Sequence, residues 1–72
     1  MTNTKLLRQV IKDSGYRLRF IAEYLGISYQ GFSNKINGLY EFKISEISKL
    51  CALLKISNEL RESIFFGFNV DC

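Results

Sequence analysis

The chain contains no proline and no histidine, and only two cysteines. Without proline, nothing in its 72 residues breaks a helix outright, so five glycines and the polar capping residues supply all the punctuation. Without histidine or a cysteine cluster, a metal site has no ligands to use. Cys51 and Cys72 make no disulfide framework; Cys51 falls in a helical apolar stripe and reads as a small buried hydrophobe. No apolar run is long enough to cross a membrane, and no leader or lipidation pattern is evident, so the expected location is the cytoplasm, with no membrane partner. No nucleophile and base, and no pair of carboxylates, stands out. Catalysis, cofactors and a small-molecule substrate are therefore not expected.

The residues that are present favour a packed globule. Apolar residues make up 47% of the chain and aromatics 14%, too much for a disordered tail. No linker, repeat or low-complexity segment divides residues 1–72, so a single domain is expected. A domain this small buries only about 60% of its unfolded surface, which makes a second copy or another partner useful to its stability. The apolar residues recur at threes and fours instead of alternating, which predicts an all-α fold. The first helix is expected from about Thr4 to Ser14, with Leu6, Leu7, Val10 and Ile11 inward and Gly15 just past its end. The second runs from Leu18 to Leu25 and stops at Gly26, and the third is capped by Ser28 and ends at Ile36 before Asn37-Gly38. After the loop GLYEFK, Ile44, Ile47, Leu50, Cys51 and Leu54 mark a fourth helix. Ser57 caps a fifth, with Leu60, Ile64 and Phe65 inward and Gly67 ending it.

Charge is distributed unevenly. Residues 1–43 carry Lys5, Arg8, Lys12, Arg17, Arg19, Lys35 and Lys43 against Asp13, Glu23 and Glu41, whereas residues 44–72 lean slightly acidic, within a net charge of +3. A local excess of cations suits phosphate, although many solvated surfaces show a similar imbalance. The basic half contains a helix-turn-helix pattern over about residues 18–37, a helix ended by glycine and followed by a short helix that begins at serine. Helical geometry puts Phe32 and Ile36 inward with Tyr29 at their edge, and Gln30 and Asn34 on the opposite side. Gln and Asn can pair with the N6 and N7 of adenine, so an outward amide row fits direct base reading, with Ser33 and the Tyr29 hydroxyl at its flanks. Arg17 and Arg19 lie at the start of the second helix, where free N–H groups attract phosphate, and Lys35, Asn37 and Lys43 surround the exit of the third. Gly31 lowers the helix propensity of this segment by roughly 1 kcal/mol relative to alanine. It fits either close approach of another molecule or a tight helix crossing.

The run Ala22, Gly26-Ile27-Ser28, Ser33 and Asn37-Gly38 resembles the lambda-repressor-like helix-turn-helix family, the Cro, repressor and Xre-type regulators, over about residues 5–56. More narrowly, SGYRLRFIAEYLGIS and FSNKINGLYEFKISEISKLCALLKIS look like the small Cro-like or modulator proteins encoded beside repressors in phages of Gram-positive bacteria. The resemblance implies a compact five-helix domain that regulates the lysogeny–lysis decision in a bacterial host. It puts Ser28, Tyr29, Gln30, Ser33 and Asn34 at base-contacting and nearby phosphate-contacting sites, and Asn37 at a backbone-contacting one. The first expectation from it is a Cro-like regulator that binds double-stranded operator DNA through the helix 28–36; the alternative is an antirepressor that binds the cognate repressor protein, with weak DNA binding of its own. The family often has Ser or Thr capping the second helix, followed by Gln holding a phosphate, where this chain has Arg17 and Leu18; leucine cannot make that bond.

The C-terminal part suggests a contact surface. Phe65, Phe66, Phe68 and Val70 are too closely spaced for all of them to enter one small core, and Leu53 borders the inward stripe of its helix. These residues are expected to form a protein-partner surface, for a homodimer or a complex with repressor; a tail folded over the core is the alternative.

Overall fold

The computed structural model describes residues 2–66 and is all-helical across them. Its elements are α1 (Thr4–Ser14), α2 (Leu18–Leu25), α3 (Tyr29–Ile36), α4 (Ile44–Leu54) and α5 (Asn58–Phe65). Local chemistry sets most of these boundaries. Asn3 Oδ1 accepts the N–H of Leu6, Ser28 Oγ that of Gly31 and Ser57 Oγ that of Leu60, so α1, α3 and α5 each begin at a side-chain cap. Gly15 and Gly26 close α1 and α2 in the left-handed conformation, at φ 81° and 79°, where a Cβ would be strained. Lys55 does the same for α4 without being glycine, at φ 56°.

The core is assembled from one stripe of each helix. Leu7 and Ile11 of α1, Ile21, Ala22 and Leu25 of α2, Phe32 and Ile36 of α3, Ile47 and Leu50 of α4, and Ile64 and Phe65 of α5 are all buried. α2 packs on α3 and α4, while α1 runs against α3, α4 and α5. The N–H of Asn3 donates to the carbonyl of Ile64, tying the start of α1 to α5. One core residue comes from a loop. Phe42 packs edge-on against Phe32 at 6.2 Å and against Phe65 at 5.6 Å between ring centroids, so it joins the turn after α3 to α5.

Two expectations about burial change. Phe65 is not part of an outer surface: its ring completes that aromatic contact and is only 3% exposed. Ile44 lies on the apolar periodicity of α4 yet is 72% exposed, because at the first position of the helix no other element covers it. Leu53 and Phe66 are partly buried against the core, and Phe68 and Val70, like Gly67 and Cys72, lie outside the described residues. Cys51 is half-buried; burial pushes its thiol above the ordinary value against the opposing charge of Arg61, so it stays protonated and packs as a hydrophobe. Among the described residues, no helix is long and apolar enough to cross a membrane.

Candidate functional site

Helices α2 and α3 and the tight turn between them form one projecting corner. Ile27 packs partly into the core beneath the turn, and its N–H reaches back to the Ala22 carbonyl. Phe32 and Ile36 anchor α3 from below, which leaves its other side turned to solvent. Gln30 is exposed and Asn34 half-exposed on that side, with the Gln30 amide donating to Asn34 Oδ1 at 2.9 Å. That bond holds the two amides as a pair while leaving further donors and acceptors on each. Ser28 is engaged as the cap, Ser33 is half-buried at the flank, and Tyr29 is 42% exposed. No neighbouring helix explains Gly31: a Cβ there would meet only Ser28 Oγ, at 3.1 Å, so the tight-crossing reading has no packing behind it.

The expected phosphate contacts divide into two groups. Arg17 and Arg19 are exposed at the start of α2, whose first-turn N–H groups no side chain caps, and neither forms a salt bridge among the described residues. The Arg19 guanidinium sits 4.9 Å from the centre of the Tyr29 ring, linking the two helices on their outer side. Lys35 differs. Its Nζ lies 2.6 Å from Glu46 Oε1 with the lysine side chain 14% exposed, so its charge is directed toward α4 and neutralised there. Asn37 accepts a hydrogen bond from the Arg8 guanidinium through Oδ1, which brings α1 to the exit of α3. Lys43 is exposed; its backbone N–H donates to the same Glu46 oxygen at 2.9 Å. Burial opposes ionisation of Glu46. The bonds from Lys35 and the Lys43 N–H, together with the charges of both lysines, outweigh it and hold the carboxyl below its ordinary value of 4.5.

The α2 side of the corner carries a further feature, absent from the expectations above. Tyr16, just before α2, and Phe20 and Tyr24 on it recur every fourth residue, and each is between 42% and 46% exposed. The rings of Tyr16 and Phe20 stack at 5.3 Å with planes 24° apart. Tyr29 of α3 is exposed to a similar extent, at 42%, beside Arg19. The spacing of Tyr16, Phe20 and Tyr24 is the readable signal, because Phe20 and Tyr24 at i and i+4 share one side of α2 while Ile21, Ala22 and Leu25 occupy the other, and Tyr16, in the turn before the helix, stacks on Phe20. Leu39 and Tyr40 are also exposed, in the turn after α3.

Between α1 and this corner is an open cleft of about 540 Å³. Ile11, Leu18 and Ile36 form its floor, while Arg8, Lys12, Arg17 and Arg19 stand around it with Tyr16 and Tyr29. Comparison with protein-family models, curated proteins and solved structures returns no match for this chain.

Proposed function

We propose that this chain is a non-enzymatic, helix-turn-helix regulator of a phage lysogeny–lysis switch, acting in the bacterial cytoplasm by docking its α2–α3 corner on the cognate repressor protein. The resemblance of residues 5–56 to the lambda-repressor-like family supplies the biological setting. The choice of partner rests on the exposed rings. Half-exposed Tyr16, Phe20, Tyr24 and Tyr29 on a projecting corner are the residue types enriched at the centres of protein interfaces, and little reason exists to leave them in water otherwise. A duplex instead rewards free cations and polar side chains, and here Lys35 is already neutralised while Leu18 stands where the family often has a phosphate-holding Gln.

Operator DNA is the second reading, favoured by the exposed amide pair Gln30 and Asn34 and by Arg17 and Arg19 at an uncapped helix start. The two readings separate in one titration series. The purified chain is mixed with repressor, and separately with its promoter DNA at two salt concentrations. A stable protein complex that the Phe20→Ser, Tyr24→Ser double variant weakens by about tenfold or more supports the repressor reading. Tight, sequence-dependent and salt-steep DNA binding that the double variant leaves unchanged would replace it with the operator reading.

A further inference from the structure

We infer that the cleft between α1 and the α2–α3 corner binds a nucleoside polyphosphate. Four cations, Arg8, Lys12, Arg17 and Arg19, surround it, and no aspartate or glutamate lines it. None of the four forms a salt bridge among the described residues. The polar contacts that two of them do make leave their charges uncompensated: Arg8 donates to a neutral amide oxygen of Asn37, and Arg19 lies over the Tyr29 ring. Like charges gathered around one concavity repel one another and favour a multivalent anion. The uncapped first turn of α2 adds partial positive charge on the same side.

The rest of the lining narrows the ligand. A floor of Ile11, Leu18 and Ile36 offers nothing to an isolated inorganic anion, whereas Tyr16 and Tyr29 supply ring surface to a planar base. A volume of about 540 Å³ suits a molecule of nucleotide size. A polyphosphate of three to four negative charges, joined to a base and sugar, answers both halves of the cleft. Bound there, it sits beside Tyr16 and Tyr29 and so borders the face assigned to the macromolecular partner.

The test uses the intact chain, ¹⁵N-labelled, titrated with ATP, inorganic tripolyphosphate, adenosine and a short non-specific duplex at low and high salt. Expected are saturable shifts at Lys12, Tyr16, Arg17 and Tyr29 with ATP, a weaker response to tripolyphosphate and little with adenosine. Salt weakens both anions. Lys12→Glu and Arg17→Gln each reduce ATP affinity by about tenfold with the helical circular-dichroism spectrum unchanged. Lys12 lies on the exposed side of α1, so at least that variant remains folded. The assignment is overturned if ATP and tripolyphosphate leave the cleft amides unmoved at low salt, if adenosine binds as well as ATP, or if Lys12→Glu binds ATP normally. Saturation by the duplex with no response to either free polyphosphate reassigns the cleft to a DNA backbone.

Discussion

Replacing Glu46 with alanine tests the link that orients α3 on the rest of the domain. The Glu46 carboxylate, with a side chain only 7% exposed, accepts from Lys35 Nζ at 2.6 Å and from the Lys43 N–H at 2.9 Å. It therefore caps α4 and joins it to α3 through one oxygen. Losing the cap costs about 1 kcal/mol. Stranding the largely buried Lys35 ammonium costs up to about 3–5 kcal/mol, reduced because four methylenes let the charge reach water. The sum expected for Glu46→Ala is about 2–4 kcal/mol, a large share of the roughly 4–11 kcal/mol typical of a chain this long. Its thermal midpoint should fall by about 10–25 °C. Glu46→Gln keeps an acceptor for the Lys43 N–H and should cost about 1–2 kcal/mol. Urea unfolding followed by circular dichroism, with Lys35→Met completing a double-mutant cycle, isolates the pair; a coupling of about 1.5 kcal/mol or more is expected. A coupling below about 0.5 kcal/mol would refute the bridge. Because the folded carboxyl titrates below 4.5, its stabilisation is present above that value and is lost as pH falls through the folded one. The wild-type chain should lose stability on acidification in that window more steeply than Glu46→Gln.

Phe42→Ala removes the ring between Phe32 and Phe65 and should cost about 3–5 kcal/mol, enough to make unfolding at 37 °C detectable by near-ultraviolet circular dichroism. A cooperative transition at the wild-type midpoint would refute its core role. Lys55→Gly relieves a left-handed residue at the end of α4 and should stabilise by about 0.5–1 kcal/mol, read as a raised thermal midpoint; a lowered one would show that the lysine side chain compensates the strain. If the operator reading holds, Gln30→Ala with Asn34→Ala changes sequence preference, while Arg17→Ala weakens all duplexes alike. Unchanged discrimination in the double variant would remove base reading from α3.

The helix boundaries were readable because their signals are local. Gly15, Gly26, Ser28 and Ser57 each fix a terminus through their own backbone or hydroxyl, and no distant residue is needed to interpret them. Burial depends on what lies opposite, which spacing along one helix does not specify. Ile44 and Phe65 are both apolar and both in register with a stripe, yet α4 extends Ile44 into solvent whereas Phe42 covers Phe65. Phe42 itself sits in a loop, where no periodicity marks a core position. Lys35 presents the same difficulty for charge. Its place near the exit of α3 suggests a phosphate contact, and only the folding of α4 against it brings Glu46 within 2.6 Å.

These differences bear directly on the candidate surface. Neutralising Lys35 removes a cation from the exit of α3, while Arg8 reaches Asn37 from α1 and joins Lys12, Arg17 and Arg19 around the cleft between α1 and the corner. The outer side of α2 carries the rings of Phe20 and Tyr24 beside the exposed charges of Arg19 and Glu23. Long-range attraction to a duplex falls with each cation withdrawn, whereas the benefit of burying Phe20 and Tyr24 against an apolar partner is short-range and unaffected by salt. If the repressor reading holds, complex formation should therefore depend on Phe20 and Tyr24 more than on ionic strength, whereas the operator reading requires the reverse, with Arg17 and Arg19 dominating and affinity falling steeply with salt.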